Sequence, residues 1–172
     1  MEQLKILYSQ HFGRPCSQCE ALPASGSNRQ YFRLYDKGGS TVIGVVGTSQ
    51  EENQAFCYLS GHFALRRLPV PEVLCVSDDG MRYLQTDLGT QSLYDALKGG
   101  RDAGGRYNSL ERQLLRRTVA ALPDMQIRGA RNLDFSRCYP QPEMDTTNVL
   151  FDLNYFKYLF LKTADVDFHE MK

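Results

Sequence analysis

The stretch Leu22-Pro-Ala-Ser-Gly-Ser-Asn-Arg-Gln-Tyr-Phe-Arg-Leu34 decides the fold, because a flexible turn leads directly into a sequence typical of a β-strand. Gly26 gives the turn access to backbone dihedral angles that other residues avoid, so that backbone N–H groups can point at one anion. Arg29 adds a positive charge beside them. The pattern predicts a nucleotide-binding hairpin, although an ordinary turn between strands uses the same residue types. The candidate phosphate-binding residues are Ser25, Gly26, Ser27, Asn28 and Arg29.

Segments on both sides of the hairpin carry the patterns of a sheet and two helices. Apolar residues at helical spacing predict a helix over residues 2–12. Strands are predicted at residues 20–23, 30–35, 41–46, 72–76 and 81–86, and Asp78-Asp-Gly80 is a strong turn signal between the last two. Ser49 and Glu52 have the spacing of a capping box that opens a second helix. These patterns predict a five-stranded antiparallel sheet with one inserted helix.

The second half of the chain is predicted to be helical. A short helical segment is expected at residues 92–97, and the glycine-rich run at residues 98–105 predicts a polar loop that does not pack. Leucines at helical spacing indicate an amphipathic helix over residues 110–122, which Pro123 kinks or ends. Another helix, with a broad apolar face, is predicted over residues 147–163. Exposed apolar faces on these helices would favour self-association.

Three motifs carry a resemblance to a known family. They are the hairpin motif at residues 24–33, Pro69-Val-Pro-Glu-Val73 before the fourth strand, and Thr86-Asp-Leu-Gly89 after the fifth. Together they resemble the amino-terminal lobe of the aminoglycoside phosphotransferase and choline kinase superfamily, nearest the bacterial kinases of N-acetylmuramate and N-acetylglucosamine. The resemblance implies an α+β fold, with a protein-kinase-like N-lobe at residues 1–89 and the first helices of an incomplete helical C-lobe at residues 90–172.

This resemblance implies an ATP-dependent phosphotransferase that acts on a hydroxyl group of a small metabolite, an amino sugar. Adenine is expected to contact the backbone of Gln85, Thr86 and Asp87, at the hinge after the fifth strand. The alternative for these residues is an ordinary strand end, with Asp87 capping the turn before Leu88-Gly89. ATP and Mg²⁺ are the implied cofactors. No histidine begins the His-x-Asp catalytic loop of the superfamily, so the catalytic residues and magnesium ligands are expected beyond Lys172, and the chain alone is expected to be inactive. The alternative is a kinase-like module that binds a nucleotide or a protein without catalysis.

The third predicted strand lacks the lysine that holds the nucleotide phosphates in many of these kinases. It reads Val42-Ile-Gly-Val-Val46, which fits the sugar-kinase branch better than the protein kinases. Arg29 or Arg33 is then the candidate for the missing positive charge. Without the lysine, Glu51 and Glu52 lose their usual partner, and the simpler interpretation is that both are acidic residues favoured in the first turn of a helix.

Composition argues against several other classes of protein. Lysine plus arginine and aspartate plus glutamate number 20 each, so no net charge attracts nucleic acid or an anionic membrane. No apolar run approaches the ~20 residues of a membrane span, and the five cysteines form no disulfide framework, so a cytoplasmic protein is expected. Cys16 and Cys19 lack the two further ligands of a zinc site. Asp165 and Asp167 have a spacing seen at magnesium sites, but solvated acidic residues at a helix end are the simpler interpretation.

Overall fold

Five short strands with alternating side chains build one antiparallel sheet. A computed structural model describes residues 1–23, 26 and 28–164 of the chain. The strands are β1 (Gln18–Ala21), β2 (Gln30–Tyr35), β3 (Thr41–Val46), β4 (Val73–Val76) and β5 (Arg82–Thr86), in the order β1-β2-β3-β5-β4. All neighbouring strands pair antiparallel. The predicted five-stranded antiparallel sheet and the α+β class are therefore confirmed.

Helix α1 (Glu2–Phe12) covers one face of the sheet. It ends as predicted, because Gly13 adopts a left-handed conformation with φ of 67° and its N–H caps the helix at Ser9 O. Leu4, Leu7 and Tyr8 of α1 are buried against apolar side chains of β2 and β5. The close approach of α1 depends on Gly44, since a Cβ at this position would lie 3.1 Å from Leu4 Cδ1 of α1.

Helix α2 (Gln50–Ala64) packs on the opposite face. Ser49 is its N-cap, and the Ser49 hydroxyl accepts a hydrogen bond from the Glu52 N–H. Phe56 and Cys57 of α2 lie against the buried side chains Ile43, Val45 and Tyr83. The serine half of the predicted capping box is therefore present, while the Glu52 carboxylate binds a residue outside the helix.

The glycine-rich run after the sheet is not the non-packing loop that its composition predicts. Two short helices, α3 (Leu93–Ala96) and α4 (Lys98–Asp102), precede α5 (Ser109–Pro123). Gly100 is buried, because the Tyr107 ring occupies the place that a side chain would take. The buried Glu111 carboxylate accepts hydrogen bonds from the N–H groups of Gly100 and Asn108, both at 2.8 Å. Tertiary contacts thus order a run of poor helix formers.

The segment after α5 is fastened to α2. Pro123 ends α5, and a π-helical turn follows at Asp124–Arg128. His62 Nε2 lies 2.8 Å from Gly129 O, and Arg128 donates to the Arg66 carbonyl at 2.7 Å. Polar contacts therefore hold this segment where apolar packing is sparse.

The contacts of the chain divide it into two compact units, Met1–Asp134 and Phe135–Lys172. The domain boundary expected after Gly89 is placed where the sheet ends, and it stays a prediction. In the second unit, helix α6 (Thr146–Phe156) runs into a π-helical turn (Lys157–Leu161), close to the predicted limits. Many of its apolar side chains are exposed: Val149, Leu150, Phe151, Leu153, Tyr155, Phe156, Tyr158, Leu159 and Phe160. None of the described helices has the length and apolar character needed to cross a bilayer.

Candidate functional site

Arg29, at the end of the hairpin, lies on the face of the sheet that α2 covers. Its Nη2 is 3.0 Å from Glu52 Oε1, and its Nη1 donates to the Tyr83 hydroxyl at 3.4 Å. The guanidinium lies 5.3 Å from the centre of the Phe56 ring, which stacks on Tyr83. Only 10% of the Arg29 side chain is exposed. Arg29 is therefore a largely buried cation that is held by the Glu52 carboxylate, the Tyr83 hydroxyl and the Phe56 ring.

Glu52 has the ionic partner that the sequence did not reveal. The interpretation of Glu52 as a mere first-turn acid is wrong, because its cation comes from the hairpin before β2 rather than from β3. Glu51 behaves as that interpretation expects. Hydrogen bonds from its own N–H and from the Ser49 hydroxyl lower the pKa of its carboxyl. The two neighbouring glutamates therefore have different roles.

The remaining candidate residues of the hairpin are only partly described. Ser25 and Ser27 lie outside the described residues. Gly26 and Asn28 are exposed. The reason given for Gly26 is wrong, because its φ lies outside the left-handed region and no described atom lies within 4 Å of a Cβ built there. An alanine at this position would therefore meet no described atom.

Arg33 and Asp87 form a bidentate ion pair at the end of the sheet. Arg33 Nε lies 2.6 Å from Asp87 Oδ2, and Arg33 Nη2 donates to Asp87 Oδ1 at 3.2 Å and to Gly89 O at 3.0 Å. The exposed fractions of the two side chains are 11% and 6%. Arg33 is therefore committed to the hinge. Arg29 is equally buried and is paired with Glu52, and it stays the candidate for the missing phosphate-binding charge because it adjoins the hairpin.

Two opposing effects act on the Asp87 carboxyl. Burial alone would raise its pKa, but hydrogen bonds from Arg33 and from the Gly89 N–H outweigh burial and lower the pKa below its ordinary value. Asp87 is therefore ionised at neutral pH and holds the turn that leaves β5. The Asp87 side chain therefore has a structural role, which is separate from any ligand that the Asp87 backbone binds.

Thr86 and Gln85, the other two hinge residues, differ in whether their polar groups already have hydrogen-bond partners. The Thr86 N–H donates to Glu72 O at 2.9 Å, and the Thr86 hydroxyl accepts from the Glu72 N–H at 3.0 Å. Gln85 lies on the same face of the sheet as Tyr83, opposite Ile43 of β3 and Val73 of β4. Its Oε1 is buried and has no hydrogen-bond partner among the described residues. The Gln85 side chain is thus the uncommitted polar group of the hinge.

Sequence reasoning missed three side chains of this site: Glu52, Phe56 and Tyr83. The helical spacing of Glu52 and Phe56 places both on one face of α2, and strand alternation places Tyr83 beside Gln85. These signals fix the faces of single elements. They do not reveal that Arg29 lies between them.

No metal centre is present in the described part of the chain. Among these residues, no group of three or more histidine, cysteine, aspartate or glutamate side chains could hold an ion. Cys16 and Cys19 are free thiols, as are the other cysteines. Asp165 and Asp167 lie outside the described residues.

Comparison with known proteins adds no further assignment. Neither a protein-family model nor a curated protein sequence matched this chain. The interpretation of the site therefore depends on its own contacts.

Proposed function

We propose that the sheet with α1 and α2 is a kinase-like N-lobe that binds ATP. The lobe would serve a phosphotransferase whose catalytic residues are expected beyond Lys172, and which transfers a phosphoryl group to a hydroxyl group of a small metabolite; the sequence resemblance suggests that this metabolite is an amino sugar. The observation that carries the proposal is the ion pair of Arg29 with Glu52, on the face that α2 covers.

The ion pair supports the proposal through the chemistry of phosphate binding. Kinases hold the nucleotide phosphates with a cation on the sheet, and a carboxylate of the neighbouring helix positions that cation. Arg29 and Glu52 supply the same two groups, although the cation comes from the hairpin instead of β3. A guanidinium suits this role because its planar donors match two phosphate oxygens.

ATP, the proposed cofactor, supplies the phosphoryl group when it is bound. In this proposal Arg29 holds its phosphates together with the N–H groups of Gly26 and Asn28, and the hinge at Gln85 and Asp87 is the base site. Mg²⁺ accompanies ATP by the same resemblance, and we propose no ligand for it among the described residues.

A second candidate function is a kinase-like module that binds a nucleotide or a protein partner without catalysis. The exposed apolar side chains of α6 favour this candidate, because apolar patches on soluble proteins mark contact surfaces. Turnover of ATP with an amino sugar acceptor, measured on a protein that includes any residues following Lys172, separates the two candidates, because this chain alone is expected to be inactive under both. ATP binding alone is compatible with both.

Replacement of Arg29 by alanine should weaken ATP binding by about 1 to 3 kcal/mol, the value of a charge-assisted hydrogen bond. Isothermal titration calorimetry of the wild type and the variant with ATP measures the loss. Arg14→Ala is the matched control, because Arg14 is an exposed arginine that pairs with Asp36. Equal affinities of wild type and Arg29→Ala, or no binding at millimolar ATP, would contradict the proposal.

We also propose that the apolar side chains of α6 support self-association of the chain. Sedimentation velocity should show a mass that rises with protein concentration, and the double variant Phe156→Glu/Phe160→Glu should abolish the rise, because Phe156 and Phe160 stack at an exposed site. Leu65→Glu replaces an even more exposed apolar residue of the first unit and should leave association unchanged. A wild type that stays monomeric at all concentrations would contradict the proposal.

A further inference from the structure

Gln85 carries a buried amide oxygen that the described protein does not satisfy. Its Oε1 has no hydrogen-bond partner among the described residues. Such groups are uncommon in folded proteins, because an unpaired buried acceptor loses its hydrogen bonds to water and forms no hydrogen bond within the protein to replace them. A buried acceptor of this kind calls for an explanation.

The polar neighbours of Gln85 along the chain are committed to other partners. The hydroxyl of Thr86 accepts from the Glu72 N–H, and the carboxylate of Asp87 accepts from Arg33 and Gly89. Across the sheet, Gln85 faces the apolar residues Ile43 and Val73. The side chains of Thr86 and Asp87 therefore supply no donor to Gln85 Oε1, and neither do the two cross-strand neighbours.

We infer that the Gln85 carboxamide reads the six-position of a purine base and selects an amino group over an oxo group. The inference rests on the proposed function, which places the base at this hinge. The exocyclic amine of adenine is a hydrogen-bond donor, and it would supply the partner that Oε1 lacks. A base with an oxo group at that position presents an acceptor to Oε1, so two acceptors would face each other.

This selection differs from recognition by the hinge backbone alone. A carboxamide pairs with an adenine edge through one acceptor and one donor, and such pairs discriminate well between bases. An acceptor held away from water discriminates strongly, because a wrong ligand leaves it unpaired. Gln85 is therefore a specificity residue that acts by hydrogen bonding, from a strand that α2 and β3 hold in place.

ATP and inosine triphosphate, which differ at the six-position of the base and in the proton on the neighbouring N1, test the inference. The wild type should bind ATP about tenfold or more tightly than inosine triphosphate. Gln85→Leu should weaken ATP binding until the two affinities are similar, whereas Gln85→Glu, which offers only acceptors, should keep the preference for ATP. Gln54→Leu is the matched control, because Gln54 is an exposed glutamine of α2.

Thermal unfolding of the free proteins separates this role from a structural one. Gln85→Leu should raise the melting temperature of the free protein, because it removes an unpaired buried acceptor. A ratio of ATP to inosine triphosphate affinity that is the same in wild type and Gln85→Leu would overturn this inference and leave the proposed function intact. A wild type that binds neither nucleotide would overturn both.

Discussion

Replacement of Asp87 by alanine should lower the free energy of unfolding by about 3 to 5 kcal/mol, the cost of leaving one partner of a buried ion pair alone. Arg33 would remain at the end of the sheet with 11% of its side chain exposed and without its carboxylate partner, although it would keep the Gly89 carbonyl as an acceptor. The same change frees the turn after β5, since the Gly89 N–H loses its acceptor. Urea denaturation of the wild type and the variant measures the loss.

A surface ion pair supplies the control for Asp87. Lys98 and Asp102 lie 2.5 Å apart, but both side chains are largely exposed. Exposed pairs contribute little, so Asp102→Ala should change the free energy of unfolding by less than about 0.5 kcal/mol. Equal losses for Asp87→Ala and Asp102→Ala would show that burial of the Arg33–Asp87 pair has no energetic importance.

The lowered pKa of Asp87 fixes the sign of the pH dependence. The folded protein binds a proton at Asp87 less readily than the unfolded chain does, so the pair stabilises the fold above the ordinary aspartate pKa of about 4. This stability is lost as the pH falls through the lower, folded-state pKa. The difference in stability between wild type and Asp87→Asn should therefore be constant above about pH 5 and shrink at lower pH. Asp79, whose pKa hydrogen bonds from Ser77, Met81 and Arg82 lower to about 2, titrates in both proteins and cancels in the difference.

Gly47→Ala should destabilise the protein by about 3 kcal/mol, because it overpacks a buried contact and breaks a buried hydrogen bond. A Cβ on Gly47 would lie 2.3 Å from both Oδ1 and Nδ2 of Asn53. Asn53 is 1% exposed, and its Nδ2 donates to Gly80 O at 2.9 Å, so it has no free space to enter. Since Glu52 precedes Asn53 in α2, the displacement should also weaken ATP binding through Arg29.

A second glycine gives a control of opposite sign. Gly61 lies in the interior of α2, and no described atom is within 4 Å of a Cβ built there. Gly61→Ala should therefore raise the free energy of unfolding by about 0.5 to 1 kcal/mol through helix propensity. Urea denaturation of both variants measures the two changes in the free energy of unfolding. A Gly47→Ala protein as stable as the wild type would refute the packing argument.

Local sequence determined most of the elements. Alternation of apolar residues and strong turn signals specify β2, β3 and the hairpin of β4 and β5, because these patterns act between residues that are close along the chain. The exact limits of α1 follow from its apolar spacing and from Gly13. The predicted loop at residues 98–105 failed, since contacts of Gly100 with Tyr107 and Glu111 outweigh the low helix propensity of glycine.

The sequence by itself determined the class of the fold, the order of its strands along the chain and the segment that carries the candidate site. Only the tertiary structure decided which charges pair. Arg29 with Glu52 and Arg33 with Asp87 are contacts between residues far apart in the sequence, and the unpaired oxygen of Gln85 depends on what surrounds it. Periodicity reports which side of an element a residue occupies, because it reflects the geometry of one helix or strand. The partner on that side is set by how the elements pack, and no local pattern encodes that.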